Sequence, residues 1–204
     1  MPPLDINYDI IKRMRSLHTY LQDRFTVGGT TSNKILLFDV DDTLISSDIK
    51  VYVVKNKKVI RTLSSTEYNT YKLDPGESFD YKDFNSEFLL NNKSVFLKYW
   101  DTLKREYKKG THIGILTARA DCMMIRRFFL KNGIDIKKDL VFAISDPSLG
   151  LVGNSIEERK AEVIEQLIGY GYSTFVFFDD NQDNLEMAKS LESKYDIKVH
   201  TVKA

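Results

Sequence analysis

Residues 34–45 read KILLFDVDDTLI. Ile35, Leu36, Leu37 and Phe38 make a short unbroken apolar run, the pattern of a strand buried on both faces. The run stops at a carboxylate. Asp39, Asp41 and Asp42 follow at once, and no core hides three unpaired carboxylates, so the cluster belongs where a strand emerges into water or onto a cation. In an open parallel sheet that place is the crevice beyond the carboxyl ends of the strands, where ligands bind.

Further along, the same design repeats. His112 to Leu116, Leu140 to Ile144, Phe175 to Phe178 and Ile197 to Val202 are apolar stretches of strand length. Helical patterns separate them, over 94–108, over 121–132 with Gly133 as a left-handed cap, from Ser155 onward, and over 185–195. Strands alternating with helices of this length predict an α/β fold: a five-stranded, mainly parallel sheet with helices on both faces. In the helix over 94–108, Phe96, Tyr99, Trp100, Leu103 and Tyr107 share one face, which reads as core. Ser155 with Glu158 and Ser64 with Glu67 have capping-box spacing.

Two segments stand outside that alternation. Over 5–25, Ile10, Met14, Leu17 and Leu21 recur at helical spacing, an amphipathic helix that packs on the following domain or docks a protein partner. VGGTTSN, 27–33, then serves as a connector, so the division is 1–33 for helix and linker and 34–204 for the main domain. Within that domain an insert occupies about 46–93. Val51 to Val54 and Val59 to Thr62 flank Lys55, Asn56, Lys57 and Lys58, a β-hairpin with a basic turn. Residues 79–92, aromatic and acidic, carry no clear pattern.

Composition narrows the class. In 204 residues, 30 lysines and arginines nearly balance 29 aspartates and glutamates, so no global field marks a binder of nucleic acid or anionic membrane. No apolar run approaches the roughly 20 residues of a membrane span, and the opening residues lack the order of a secretory signal. The single cysteine, Cys122, has no disulfide partner in the chain. A cytoplasmic location is expected.

Three core strands end in polar residues of distinct chemistry: Asp39 with Asp41, then Thr117, then Asp179 with Asp180; Lys160 lies on the helix before the last pair. In this set and this order the chain resembles the haloacid dehalogenase-like (HAD) superfamily of phosphohydrolases from Lys34 to the C-terminus. Its first motif, Asp-x-Asp-x-Thr, stands as Asp39, Val40, Asp41, Asp42, Thr43; its strand-ending threonine is Thr117; its lysine is Lys160, with Arg159 the near rival; its acidic pair is Asp179 and Asp180, trailed by Asp183 or Asn184.

The resemblance implies a Rossmann-like core, an aspartyl-phosphate formed on Asp39, and Asp41 as the acid that protonates the leaving oxygen and later the base that activates water. It implies Mg²⁺ held by Asp39, the backbone carbonyl of Asp41 and Asp180, with Asp179 beside them. Thr117 and Lys160 would hold the phosphoryl oxygens, with Thr43 and Arg119 binding substrate. Aspartate at position 41 argues against the dehalogenases of the superfamily. In receiver domains the lysine follows the last acidic strand, whereas here Lys160 precedes it.

The insert is too short for a full lid and so implies a minimal cap over an open cleft. Expected substrates are a phosphorylated small molecule, in particular a nucleotide, or a polynucleotide end. The stretch from Val59 to Phe84 also looks like a segment of small phosphatase-like proteins of bacteriophage. Two other classes compete: a structural or assembly protein that keeps the fold with little turnover, and a nucleic-acid module built on the hairpin lysines.

Overall fold

The apolar run after Asn33 forms a strand because nothing in it needs water: Ile35, Leu37 and Phe38 have no exposed surface at all. This computed structural model describes residues 33–204 apart from 48, 69, 138 and 139. In chain order the elements begin with β1 (Lys34–Phe38) and β2 (Ile45–Ser47), then the insert's β3 (Val51–Lys55), β4 (Lys58–Leu63), α1 (Ser65–Tyr68), β5 (Glu77–Asp80) and α2 (Glu87–Asn92). The chain returns through β6 (Ser94–Phe96), α3 (Lys98–Lys108), β7 (Ile113–Thr117), α4 (Cys122–Lys131), β8 (Val141–Ala143), α5 (Ile156–Gly169), β9 (Thr174–Asp179), α6 (Gln182–Ser190) and β10 (Lys198–Lys203).

Five strands make one sheet in the order β10-β9-β1-β7-β8, every pairing parallel. Right-handed crossovers then put α3 and α4 on one face and α5 and α6 on the other. On the first face Trp100 of α3 stacks on Phe129 of α4, ring centroids 5.6 Å apart. On the second, α5 and α6 pack against each other and α6 against β9 and β10. The α/β fold with a parallel sheet flanked by helices is therefore present, and its order reverses between β1 and β9. That is the switch point at which such sheets hold ligands.

The insert builds a small core of its own. β3 pairs with β4 and β5 in an antiparallel sheet, and Val51, Val53 and Leu63 are buried with Tyr68, Tyr71, Phe79 and Phe84 against them. The basic turn is the expected hairpin. Asn56 and Lys57 both take positive φ, 50° and 62°, as a two-residue turn matching the twist of its strands requires. Antiparallel pairing of β2 with β6 closes the insert's two ends into a stem. Ser64 and Glu67 bond reciprocally, the Glu67 amide to Ser64 Oγ and the Ser64 amide to Glu67 Oε2, as the capping box predicts.

Three expectations need correction or completion. The helix over 94–108 starts only at Lys98, because Ser94 to Phe96 pair with β2 instead; Phe96 is thus 45% exposed while Trp100 and Leu103 are buried. The helix over 185–195 begins at Gln182, where Asn181 caps it, and ends at Ser190 before a short 3-10 turn. Residues 79–92, unassigned from the sequence, hold the end of β5, a 3-10 turn at Lys82–Asn85 and α2. Gly133 does take the left-handed conformation, with φ 78°. The helix and connector read over 5–32 lie outside the described residues. Among those described, no helix is long and apolar enough to cross a membrane.

Candidate functional site

Register alone brings the first two acidic groups together. Phe38 of β1 lies opposite Phe178 of β9, so Asp39 and Asp179 leave the sheet side by side, with the Asp39 amide donating to the Phe178 carbonyl at 2.9 Å. Phe38 and Phe178 stack at 4.4 Å, and Tyr99 of α3 packs on Phe178 at 5.1 Å, so this pair faces α3. Side chains alternate across a strand. Asp39 and Asp179 therefore turn toward α5, which carries Lys160.

Ser155 starts α5 by accepting the Glu158 amide at 3.3 Å, and the turns that follow the first bury Lys160 with Ala161, Val163 and Ile164. The Lys160 ammonium donates to Asp39 Oδ1 at 3.0 Å and to Asp179 Oδ2 at 2.7 Å, with the side chain only 3% exposed. Arg159 is excluded as the rival, since its Nε donates to the Gly153 carbonyl at 2.8 Å. Burial penalises the Lys160 ammonium, but the Asp39 and Asp179 carboxylates outweigh that cost and hold its pKa above the usual lysine value.

Asp179 is fixed on its other oxygen as well. Oδ1 accepts the Asn181 amide at 2.8 Å and Asn184 Nδ2 at 2.9 Å. Asn184 is buried and joins the centre, whereas Asp183 stays exposed in the first turn of α6. Asp180 is half-buried next to them, and Lys203 of β10 donates to its backbone carbonyl. Burial, then the neighbouring Asp179 and Asp42 charges, push the Asp180 carboxyl up to about 6. Asp39 is pushed well above the ordinary carboxylate value by burial; Lys160 opposes this, while Asp179, Asp41 and Asp180 reinforce it.

Asp41 behaves differently from its neighbours. The chain coils tightly after Val40, whose carbonyl accepts both the Leu44 and Ile45 amides, and Asp42 takes a positive φ of 55° that aspartate tolerates better than most residues. The Asp41 carboxylate meets Arg119, whose Nε and Nη2 donate to its two oxygens at 2.8 and 2.7 Å. Arg119 was expected to bind substrate, yet its side chain has no exposed surface and its third bond, from Nη1, goes to the Phe84 carbonyl of the insert at 2.8 Å. Thr117 is buried at the end of β7, its hydroxyl accepting the Arg119 amide at 3.4 Å. Thr43 is buried with its hydroxyl unpartnered among the described residues, an orphan polar atom of the kind that marks a ligand or water position.

Comparison with known protein families, with curated proteins and with solved structures finds no match for this chain. What the centre can do is judged on its own geometry. Carboxylate oxygens of Asp39, Asp179 and Asp180 lie within 4.8 Å of one another, close enough to share one ion. Four carboxylates, these three and Asp41, face two cations, Lys160 and Arg119. A divalent cation would balance the difference. An all-oxygen donor set suits Mg²⁺, Mn²⁺ or Ca²⁺ better than the softer metals that seek thiolate or imidazole.

The sequence missed the Arg119 fork on Asp41, which joins residues 78 positions apart and which nothing in spacing announces. Of the two trailing residues the sequence offered, Asn184 in the first turn of α6 is the one that bonds Asp179.

Proposed function

We propose that the protein is a Mg²⁺-dependent phosphohydrolase that works through an aspartyl-phosphate on Asp39. One observation carries the reading: two strand ends and one helix bring Asp39, Asp179, Asp180 and a buried lysine to a single point at the switch of the sheet. This is the constellation that the HAD resemblance requires, on a parallel sheet of the matching class. The donor set fits the ion, with Asp39, Asp180 and Asp179 as its holders and the Asp41 carbonyl added by the resemblance. Bound there, the ion would relieve the repulsion between a carboxylate and a phosphate dianion.

In the first step an Asp39 carboxylate oxygen attacks phosphorus, and the bond from phosphorus to the ester oxygen breaks. Asp41 gives a proton to that leaving oxygen. In the second, Asp41 takes a proton from water, the resulting oxygen attacks the same phosphorus, and Asp39 leaves as a carboxylate with release of inorganic phosphate. Lys160 neutralises charge on the phosphoryl oxygens, and the hydroxyls of Thr117 and Thr43 donate to them. For Lys160 this means exchanging a carboxylate partner for a phosphoryl oxygen.

The substrate class proposed is a nucleotide or the phosphorylated end of a polynucleotide. Support comes from the insert, whose aromatic edge reaches this end of the sheet through Phe84. Tyr81, 42% exposed, packs edge-on against Phe84 and offers a surface on which a base can stack. The test is phosphate release from a generic aryl phosphate with and without Mg²⁺, followed by a panel of nucleotides and 3′- or 5′-phosphorylated oligonucleotides. Turnover should need the ion and vanish in Asp39→Asn. Activity that survives that substitution would remove Asp39 as nucleophile.

A further inference from the structure

Arg119 is the largest side chain in the protein with no solvent exposure among the described residues, and it is charged. A buried guanidinium is costly unless its donors are satisfied, and here two residues far apart in the chain, Asp41 and Phe84, accept from it. Nε and Nη2 fork onto the two oxygens of Asp41, Nη1 donates to the carbonyl of Phe84, and the Phe84 ring covers the group at 5.3 Å. Its backbone is anchored on both sides, the amide on Thr117 Oγ1 and the carbonyl on the Ser145 amide at 3.2 Å. Enclosed this way, the guanidinium is turned from the solvent through which a substrate phosphate would approach. Asp41, by contrast, keeps a side chain that is 25% exposed.

Resting on the phosphohydrolase reading, we propose that Arg119 is a positioning residue: it holds the Asp41 carboxylate in the plane needed to serve the leaving oxygen, and it makes that orientation depend on the seating of the insert through Phe84. Two parallel hydrogen bonds fix the rotation of a carboxylate where one would leave it free. The Phe84 carbonyl and ring come from the 3-10 turn at Lys82–Asn85, so lifting the insert would strip a donor partner and the apolar cover from the guanidinium together. Movement of the insert would thus be felt at Asp41 without any direct contact between the two.

A residue that acts through the acid has a signature that a phosphate-binding or purely structural residue lacks. Esters with a poor leaving group need a proton on the departing oxygen, whereas a dinitrophenyl phosphate does not. With Arg119→Ala and Arg119→Lys, kcat/KM on an alkyl phosphate should fall about 10²-fold, the scale of misplacing a general acid. On dinitrophenyl phosphate the loss of kcat/KM should stay under about fivefold, because kcat/KM reports only the first displacement and that leaving oxygen needs no proton; the service of Asp41 to water in the second displacement shows in kcat alone. Guanidinium ion at millimolar concentration should restore part of the alkyl phosphate activity of Arg119→Ala. Phe84→Ala, which leaves Arg119 and Asp41 in place, should show the same selectivity in weaker form.

Equal losses of kcat/KM on the two esters, as a raised KM with kcat kept would give, would overturn the positioning role. No effect of Phe84→Ala would overturn the link to the insert. If Arg119→Ala does not fold, Phe84→Ala and Arg119→Lys decide the matter by the same ratio of the two esters. Wild-type protein inactive on both esters with Mg²⁺ would instead refute the phosphohydrolase reading itself, and the positioning role with it.

Discussion

Asp180→Asn should stabilise the metal-free protein at neutral pH while abolishing its response to Mg²⁺. The Asp180 carboxyl is raised from 3.8 to about 6 by burial and by Asp179 and Asp42. An acid raised on folding binds more protons in the native state than in the unfolded one between those two values. Below 3.8 it costs nothing; the native state then loses stability as pH climbs, and the full cost stands above pH 6. About two units at 1.36 kcal/mol each set an upper bound near 3 kcal/mol. Because the side chain is partly exposed, screening cuts this to about 1–2 kcal/mol. At about 2–4 °C per kcal/mol for a chain of this size, the substitution should raise Tm by about 3–6 °C at pH 7 in EDTA and by nearly nothing at pH 4. Added Mg²⁺ at about ten times its Kd should stabilise the wild type by about 1.4 kcal/mol and the variant hardly at all. Thermal melts followed by circular dichroism at both pH values, with EDTA and with Mg²⁺, give the four numbers. A lower Tm for the variant at pH 7 in EDTA, or an equal rise at pH 4, would refute the reasoning.

Lys160→Met removes the ammonium that bridges Asp39 and Asp179, and breaking a buried pair in this way should cost about 3–5 kcal/mol in urea unfolding at pH 7; a loss under about 1 kcal/mol would mean the bridge does not hold the two together. Gly153→Ala places a Cβ 2.9 Å from the Arg159 amide nitrogen and from Glu158 Cβ, where backbone has to move, so about 1–3 kcal/mol should be lost and Lys160 displaced with the start of α5. Ser155→Ala deletes the cap of the same helix and should cost about 0.5–2 kcal/mol, read from the shift of a denaturant midpoint at unchanged slope.

The apolar stretches of β1, β7, β8 and β9 were legible because each is largely buried on both faces, which leaves a continuous hydrophobic run, whereas the edge strand β10 buries only Val199. Strand ends share one edge of a parallel sheet, so the polar terminators of β1, β7 and β9 had to meet once the topology was right. Lys160 was legible only through its place in the order of the motif set, since by itself a helical lysine reads as solvated; the structure buries it beside Ala161, Val163 and Ile164. What escaped was decided by pairing across long separations. Ser94 to Phe96 carry helical spacing with the residues that follow, but β2 offers them a partner strand, and tertiary pairing overrides local periodicity. Arg119 looked available for a phosphate because sequence shows its nearness to Thr117 and not the insert turn that encloses it.

The charge at the switch of the sheet is hard to understand as architecture alone. Replacing a buried ion pair by apolar residues of similar volume is often neutral or stabilising, so a lysine between two aspartates is a poor way to hold β1, β9 and α5 together. Phe38 and Phe178, stacked one residue below, already join β1 to β9, and Ala161, Val163 and Ile164 of α5 already belong to the buried core. Asp180 goes further against folding, since it sits partly buried beside Asp179 with its carboxyl raised toward neutrality, and Lys203 bonds its backbone carbonyl rather than its carboxylate. Asp39 is raised for the same physical reason. Two carboxyls that the fold disfavours as anions, close together, store at neutral pH a cost that a proton or a ligand of positive charge would return. The Arg119 fork fits the same logic, for it neutralises Asp41 separately and so leaves the negative surplus at Asp39, Asp179 and Asp180, where an oxygen-seeking divalent ion would sit.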